Sequence, residues 1–131
     1  RPELDAASPR IPGYRMPRVT AELAAARPIH LTIIDGIESI AAGEGPWIQG
    51  VRFVQPHALV VGTNPVATDA VGTALMGFDP RAPKGVAPFE TCDNTLLLAE
   101  SLGLGTANLN NIEVVGAKIQ DLRTDFRKAG L

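Results

Sequence analysis

The chain has 131 residues, of which 45% are hydrophobic and 20% charged, with a formal net charge of −2. That is long enough for one domain with its own core, and the lack of a basic surplus argues against nucleic acid as a partner. No apolar run approaches the stretch of about 20 residues that a membrane span needs. The single cysteine, Cys92, supplies neither an internal disulfide nor a zinc or iron–sulfur site made from this chain's cysteines alone.

The chain begins at Arg1 with no methionine and no signal-peptide pattern, and it reads as a fragment or a processed chain. Its compartment is not legible: cytoplasmic, or exported if a missing N-terminal segment carries a signal. Residues 1–17 hold Pro2, Pro9, Pro12, Gly13 and Pro17. Breakers this dense predict an irregular arm rather than a helix. Residues 18–131 are expected to form a single α/β domain. Within it, residues 18–26 (RVTAELAAA) are strong helix formers, stopped by Pro28.

Residues 29–34 are apolar and β-branched, and Asp35-Gly36 closes them. This predicts a strand buried on both faces. The next segment, IESIAAGEGPWIQG, starts with a stretch that can turn helically and ends in a glycine-rich loop. Residues 51–54 read as a short strand. Residues 57–62 form a second apolar strand, which feeds through Thr63 and Asn64 into a helix over residues 65–76. That helix has good ends: Asn64 as N-cap, Pro65 as first helical residue, Gly77 as stop. Ala67, Ala70, Val71 and Ala74 give it a smooth packing face, with Asp69 among them. Residues 79–88 are a proline-rich loop. Thr91 or Asp93 is expected to cap a helix that Gly103 ends. Residues 112–115 are expected to be a strand, and the tail a surface helix or an extended arm.

Two helices separate strand 58–62 from strand 112–115. That spacing suits a right-handed crossover. The predicted fold is therefore α/β: a parallel or mixed sheet of about three to five strands flanked by helices, in two or three layers. In such sheets ligands gather at the carboxyl ends of strands. Asp35, Gly36, Thr63 and Asn64 would then be neighbours, with the loop of Gly43, Glu44, Gly45 and Pro46 folding over them. A helix N-terminus there suits a small anion. Carboxylates from Asp35, Glu44 and Asp69, with Glu38 near, suit a hard cation such as Mg²⁺.

Plainer roles compete with these. Asn64 can simply cap, Asp35 can simply end a strand, and Asp69 can meet a neighbouring backbone. Trp47 either covers a ligand, anchors its loop or fills the core edge. The Gly43–Trp47 stretch lacks the Gly-Lys-Ser/Thr of a phosphate loop. His30 and His57 precede their strands, away from the expected site, which argues against either as a general base. Cys92 near a helix start has no histidine close in sequence. Arg52, Arg81 and Lys84 fall in or near loops, where they can contact an anion, though most such residues are only solvated.

Several pieces together resemble the family catalogued as domain of unknown function 362. They are Ile33-Ile34-Asp35-Gly36-Ile37, Gly43-Glu44-Gly45-Pro46, and Asn64-Pro65-Val66-Ala67-Thr68-Asp69-Ala70-Val71. Leu75-Met76-Gly77-Phe78-Asp79-Pro80, Gly103-Leu104-Gly105 and Ile112-Glu113-Val114-Val115-Gly116 follow in order. The resemblance runs from about His30 to Gly116 and leaves out the proline-rich arm and the far tail. It implies the C-terminal half of a chain about twice this length. Some members carry iron–sulfur modules or export signals; this chain has neither pattern. No reaction comes with the resemblance. The residues at its polar positions are Asp35, Glu44, Gly45, Pro46, Asn64 and Asp69, and Asn64 stands where many relatives are expected to have an acid.

Two functions follow as expectations. One is an enzyme-like domain binding a small anionic ligand, with or without Mg²⁺, at the strand ends. The other is a non-catalytic module that packs against a partner domain or a second copy.

Overall fold

The computed structural model describes residues 6–127. The first five residues of the expected arm and the last four of the tail lie outside them. The elements run α1 (Pro12–Ala26), β1 (Thr32–Gly36), β2 (Ser39–Ala41), β3 (Arg52–Val54), β4 (Ala58–Gly62), α2 (Pro65–Leu75), α3 (Thr95–Ser101), a 3₁₀ turn (Leu109–Asn111) and α4 (Ile119–Leu122).

The expected parallel or mixed sheet is not present among these residues. There are two separate antiparallel pairs, β1 with β4 and β2 with β3. The reason lies in the connection. A parallel pairing of β1 and β4 needs a crossover, usually helical. Between them the chain makes no helix; it folds out and back as β2 and β3, so β4 returns antiparallel. Residues 39–41, expected to turn helically, are β2. The expected strand at residues 112–115 does not form: Ile112 is extended, but the segment pairs with no described strand. Its Ile112 turns inward to pack with Val71 and Leu75, whereas Val115 is 89% exposed.

The strands are covered on one side only. α2 packs against both β1 and β4. On the other face Ile33, Leu59 and Val61 are each about 60% exposed, with Ile33 directly opposite Val61 across the ladder. The expectation of a strand buried on both faces therefore fails: no second layer lies on that face among the described residues.

Helix α1 starts at Pro12, inside the stretch expected to be irregular. Pro12 occupies the first turn, where a missing N–H costs nothing. Pro17 is a true interior proline, and its ring displaces the carbonyl four residues back. That carbonyl belongs to Gly13, and it is not left unpaired: the Asp93 backbone N–H donates to it at 2.8 Å. The space for this contact depends on Gly13, because a Cβ there would meet the Thr91 carbonyl oxygen at 2.0 Å. Pro17 and Ala21 are buried where α1 packs on α3.

α2 lies where its end signals put it. The Asn64 side chain accepts from the Ala67 N–H, and Gly77 takes a φ of +88° beyond the last turn. The carbonyls of that last turn are unsatisfied within the helix. The tail supplies the donors, Thr124 N–H to Leu75 O and Phe126 N–H to Met76 O. The guanidinium groups of Arg123 and Arg127 both donate to the Gly77 carbonyl, the favoured sign of charge at a helix C-terminus. α3 is capped by Asn94, not by Thr91 or Asp93. Its Oδ1 accepts from Leu96 and Leu97, and its Nδ2 donates to the Pro80 and Ala82 carbonyls. Only Asn94 can both cap the helix and hold the loop before it.

The core is made of small residues. Ala21, Val66, Ala70, Leu96, Ala99 and Ala107 join the three longer helices. A second cluster of Ala58, Val71 and Leu75 joins α2 to β4. Among the described residues no large side chain is completely buried.

Candidate functional site

The antiparallel register separates the two strand ends that were expected to meet. Gly36, the last residue of β1, faces Ala58, the first of β4; Gly62 faces Thr32. Asp35-Gly36 and Thr63-Asn64 thus sit at opposite ends of the ladder, roughly 14 Å apart for a pairing of this length. The expected ligand residues divide between two concavities. Asp35, Gly36 and Asp69 line the first, and Thr63 and Asn64 line the second.

Gly43, Glu44 and Gly45 line neither. Their loop does not fold across the strand ends. Trp47, expected at the core edge, is 74% exposed, and its ring lies against Gly45, where a Cβ would meet ring carbons at 2.3 Å. Glu38 accepts from the Gln55 side chain. Among the described residues no group of three or more His, Cys, Asp or Glu side chains is placed to hold a metal ion. Asp35, Glu44 and Asp69 therefore do not assemble into a metal centre.

The first concavity is a cavity of about 330 Å³ between the inner face of β1 and β4, one flank of α2, and the loop after it. Ile34, Val60, Leu75, Phe78, Phe89 and Phe126 form much of its wall. Phe126 is delivered by the two backbone bonds that tie the tail to the end of α2. Asp35 and Asp69 are the charged residues in the lining. The Asp35 Oδ1 accepts from the Ile37 N–H at 3.0 Å, a turn closure at the strand end. Asp69 has no side-chain partner among the described residues. Its carboxyl pKa is raised because the apolar surroundings disfavour the charged form.

The second concavity, about 630 Å³, is a groove along the outer edge of β4. Leu59, Val61 and Thr63 form one wall, and residues 111–115 form the other. At its end Asn64 is fully engaged: Oδ1 caps Ala67, and Nδ2 donates to the Leu104 carbonyl at 2.9 Å. Gly105 lies so close that a Cβ on it would meet the Asn64 Oδ1 at 2.1 Å, and its φ of +150° suits glycine. The plain capping role of Asn64 is thus met in full.

The remaining candidates are dispersed. His30 and His57 are exposed, and His57 carries a positive φ of 52° with its N–H bonded to the Ile37 carbonyl. Arg52 donates to the Phe126 carbonyl. Arg81 pairs with Glu100 and Lys84 with Asp93, so these two are not free solvated charges. Cys92 is half-buried.

A family model described as Domain of unknown function (DUF362) matches residues 7–74, just over half of the chain. The chain belongs to this family. No curated protein and no solved structure matches it. The DUF362 match begins at Ala7 and takes in the proline-rich segment that the resemblance had left out. It holds Asp35 and Asp69, whereas Phe78, Phe89 and Phe126 and the 111–115 wall of the groove lie beyond it. Sequence reasoning missed those three phenylalanines and that wall. They are scattered along the chain with no shared spacing, and only the tail's return to α2 collects the aromatic rings.

Proposed function

We propose that this DUF362 chain is a non-catalytic interaction module that takes up an extended apolar segment of a partner polypeptide along the free edge of β4. One observation carries the reading: the groove has unpaired backbone on both sides. β4 pairs with β1 on one edge only. Across the groove, residues 113–115 make no backbone hydrogen bond with any described residue. Unpaired strand backbone of this kind is a template for another strand. The exposed Leu59 and Val61 supply the side-chain contacts that choose an apolar, β-branched occupant.

The expected strength is modest. Each main-chain bond contributes about 1 kcal/mol net, and each half-exposed aliphatic side chain covered contributes about 1 kcal/mol more. After the cost of association, an isolated peptide would bind in the micromolar to millimolar range.

The test is an NMR titration of the chain with a synthetic peptide of alternating valine and threonine, with lysines at its ends. The amides of residues 59–63 and 113–115 are expected to shift and to gain protection from hydrogen exchange. Leu59→Lys with Val61→Lys is expected to abolish both effects. A peptide that shifts no amide in these two segments would overturn the reading. So would a peptide-free dimer with the same amides already protected, since a second copy would then fill the groove.

A further inference from the structure

We propose that the cavity between β1, β4, α2 and the loop of residues 78–89 is a binding site for a small organic ammonium ion with an apolar body. At about 330 Å³ the cavity has the size of an ordinary small-molecule site. Its wall is aliphatic and aromatic, with Ile34, Val60, Leu75 and three phenylalanines. Such a wall takes an alkyl or aryl group and offers little to a hydrated inorganic ion.

The charge in the lining has one sign. Asp69 lines the cavity from α2, Asp35 joins the lining only at the end of β1 with its side chain on the Ile33 face, and no Lys, Arg or His lines it. Arg52 and Arg127 lie outside the lining: Arg52 donates to the Phe126 carbonyl, and Arg127 to the Gly77 carbonyl, with Asp125 and the Phe78 ring beside it. An anion would therefore meet the Asp69 carboxylate with no cation in the lining to offset it. An ammonium group would instead give the Asp69 carboxylate the partner it lacks. The desolvation that raises the Asp69 carboxyl pKa works in the same direction, because a bound cation relieves it. Phe78, Phe89 and Phe126 add ring faces that attract cations. This site is separate from the β4 groove, and neither proposal depends on the other.

The experiment compares three ligands of one shape on the full chain by isothermal titration: n-hexylammonium, 1-hexanol and n-hexanoate. Hexylammonium is expected to bind about tenfold tighter than hexanol, with hexanoate weaker than both; a tenfold preference corresponds to about 1.4 kcal/mol. Asp69→Asn is expected to bring hexylammonium to within about twofold of hexanol while leaving hexanol unchanged. A merely structural Asp69 would weaken both ligands together. Asp35→Asn keeps the acceptor for the Ile37 N–H and, with its side chain on the opposite face of β1, is expected to leave the preference unchanged. Equal binding of the three ligands, no binding by any, or a hexylammonium preference indifferent to Asp69→Asn would overturn the proposal.

Discussion

Asn64 holds two distant parts of the chain with one side chain. Its Oδ1 caps α2 through the Ala67 N–H, and its Nδ2 reaches the Leu104 carbonyl. Asn64→Ala removes the cap, worth about 1 kcal/mol, and strips the Leu104 carbonyl of its donor, worth about 1–2 kcal/mol more. A loss of about 2–3 kcal/mol is expected, read as a lower urea midpoint with unchanged slope. Asn64→Asp keeps the cap acceptor but has no N–H for Leu104, so its midpoint should fall between the two. This explains why an amide serves here, even where an acid is the residue expected in relatives.

α1 shows the same dependence one scale up. Its interior proline is tolerated because the carbonyl it frees is taken by the Asp93 N–H from the segment before α3. The same residue's carboxylate is held by Arg18 from α1, with Lys84 on its other side. Arg18 also stacks over the Tyr14 ring. The Arg18 hydrogen bond, helped by Lys84, keeps the Asp93 carboxyl below its ordinary pKa. A lowered carboxylate pKa stabilises the fold above the unfolded value, and that contribution is lost as pH falls through the folded one. Asp93→Asn should therefore cost up to about 1 kcal/mol at pH 7, the scale of a partly exposed pair. The difference from the unsubstituted chain should vanish at pH well below the carboxylate range. Chemical denaturation at both pH values checks the sign.

Over the whole molecule, the thin alanine-rich core and the bare outer face of β1 and β4 describe one condition. A two-stranded sheet is marginal unless something covers it, and here α2 covers one side only. Ile33, Leu59 and Val61 lie together on that face, each more than half exposed, instead of being scattered singly. Ile33→Thr with Val61→Thr keeps β-branching at two facing positions while making that surface polar. Stability should change by less than about 0.5 kcal/mol, as for exposed sites. Self-association in sedimentation equilibrium should decrease at high protein concentration. A large fall in stability instead would mean that the face is already packed in solution.

Helix α2 was legible from Asn64, Pro65 and Gly77, and strands were expected at residues 29–34, 51–54 and 57–62, where the structure has Thr32–Gly36, Arg52–Val54 and Ala58–Gly62. These features act over a turn or less, so the sequence alone carries them, along with the family motifs built on them. Which way β4 runs beside β1 depended on whether a helix crosses between them, and the chain placed β2 and β3 there instead. The start of α1 and the choice of Asn94 as cap depended on partners far along the chain: Asp93 for the first, Pro80 and Ala82 for the second. Tertiary structure likewise parted Asn64 from Asp35 and brought Asp69 to the lining of an aromatic cavity. Local backbone preference places an element; only the contacts between elements decide which side chains share a space.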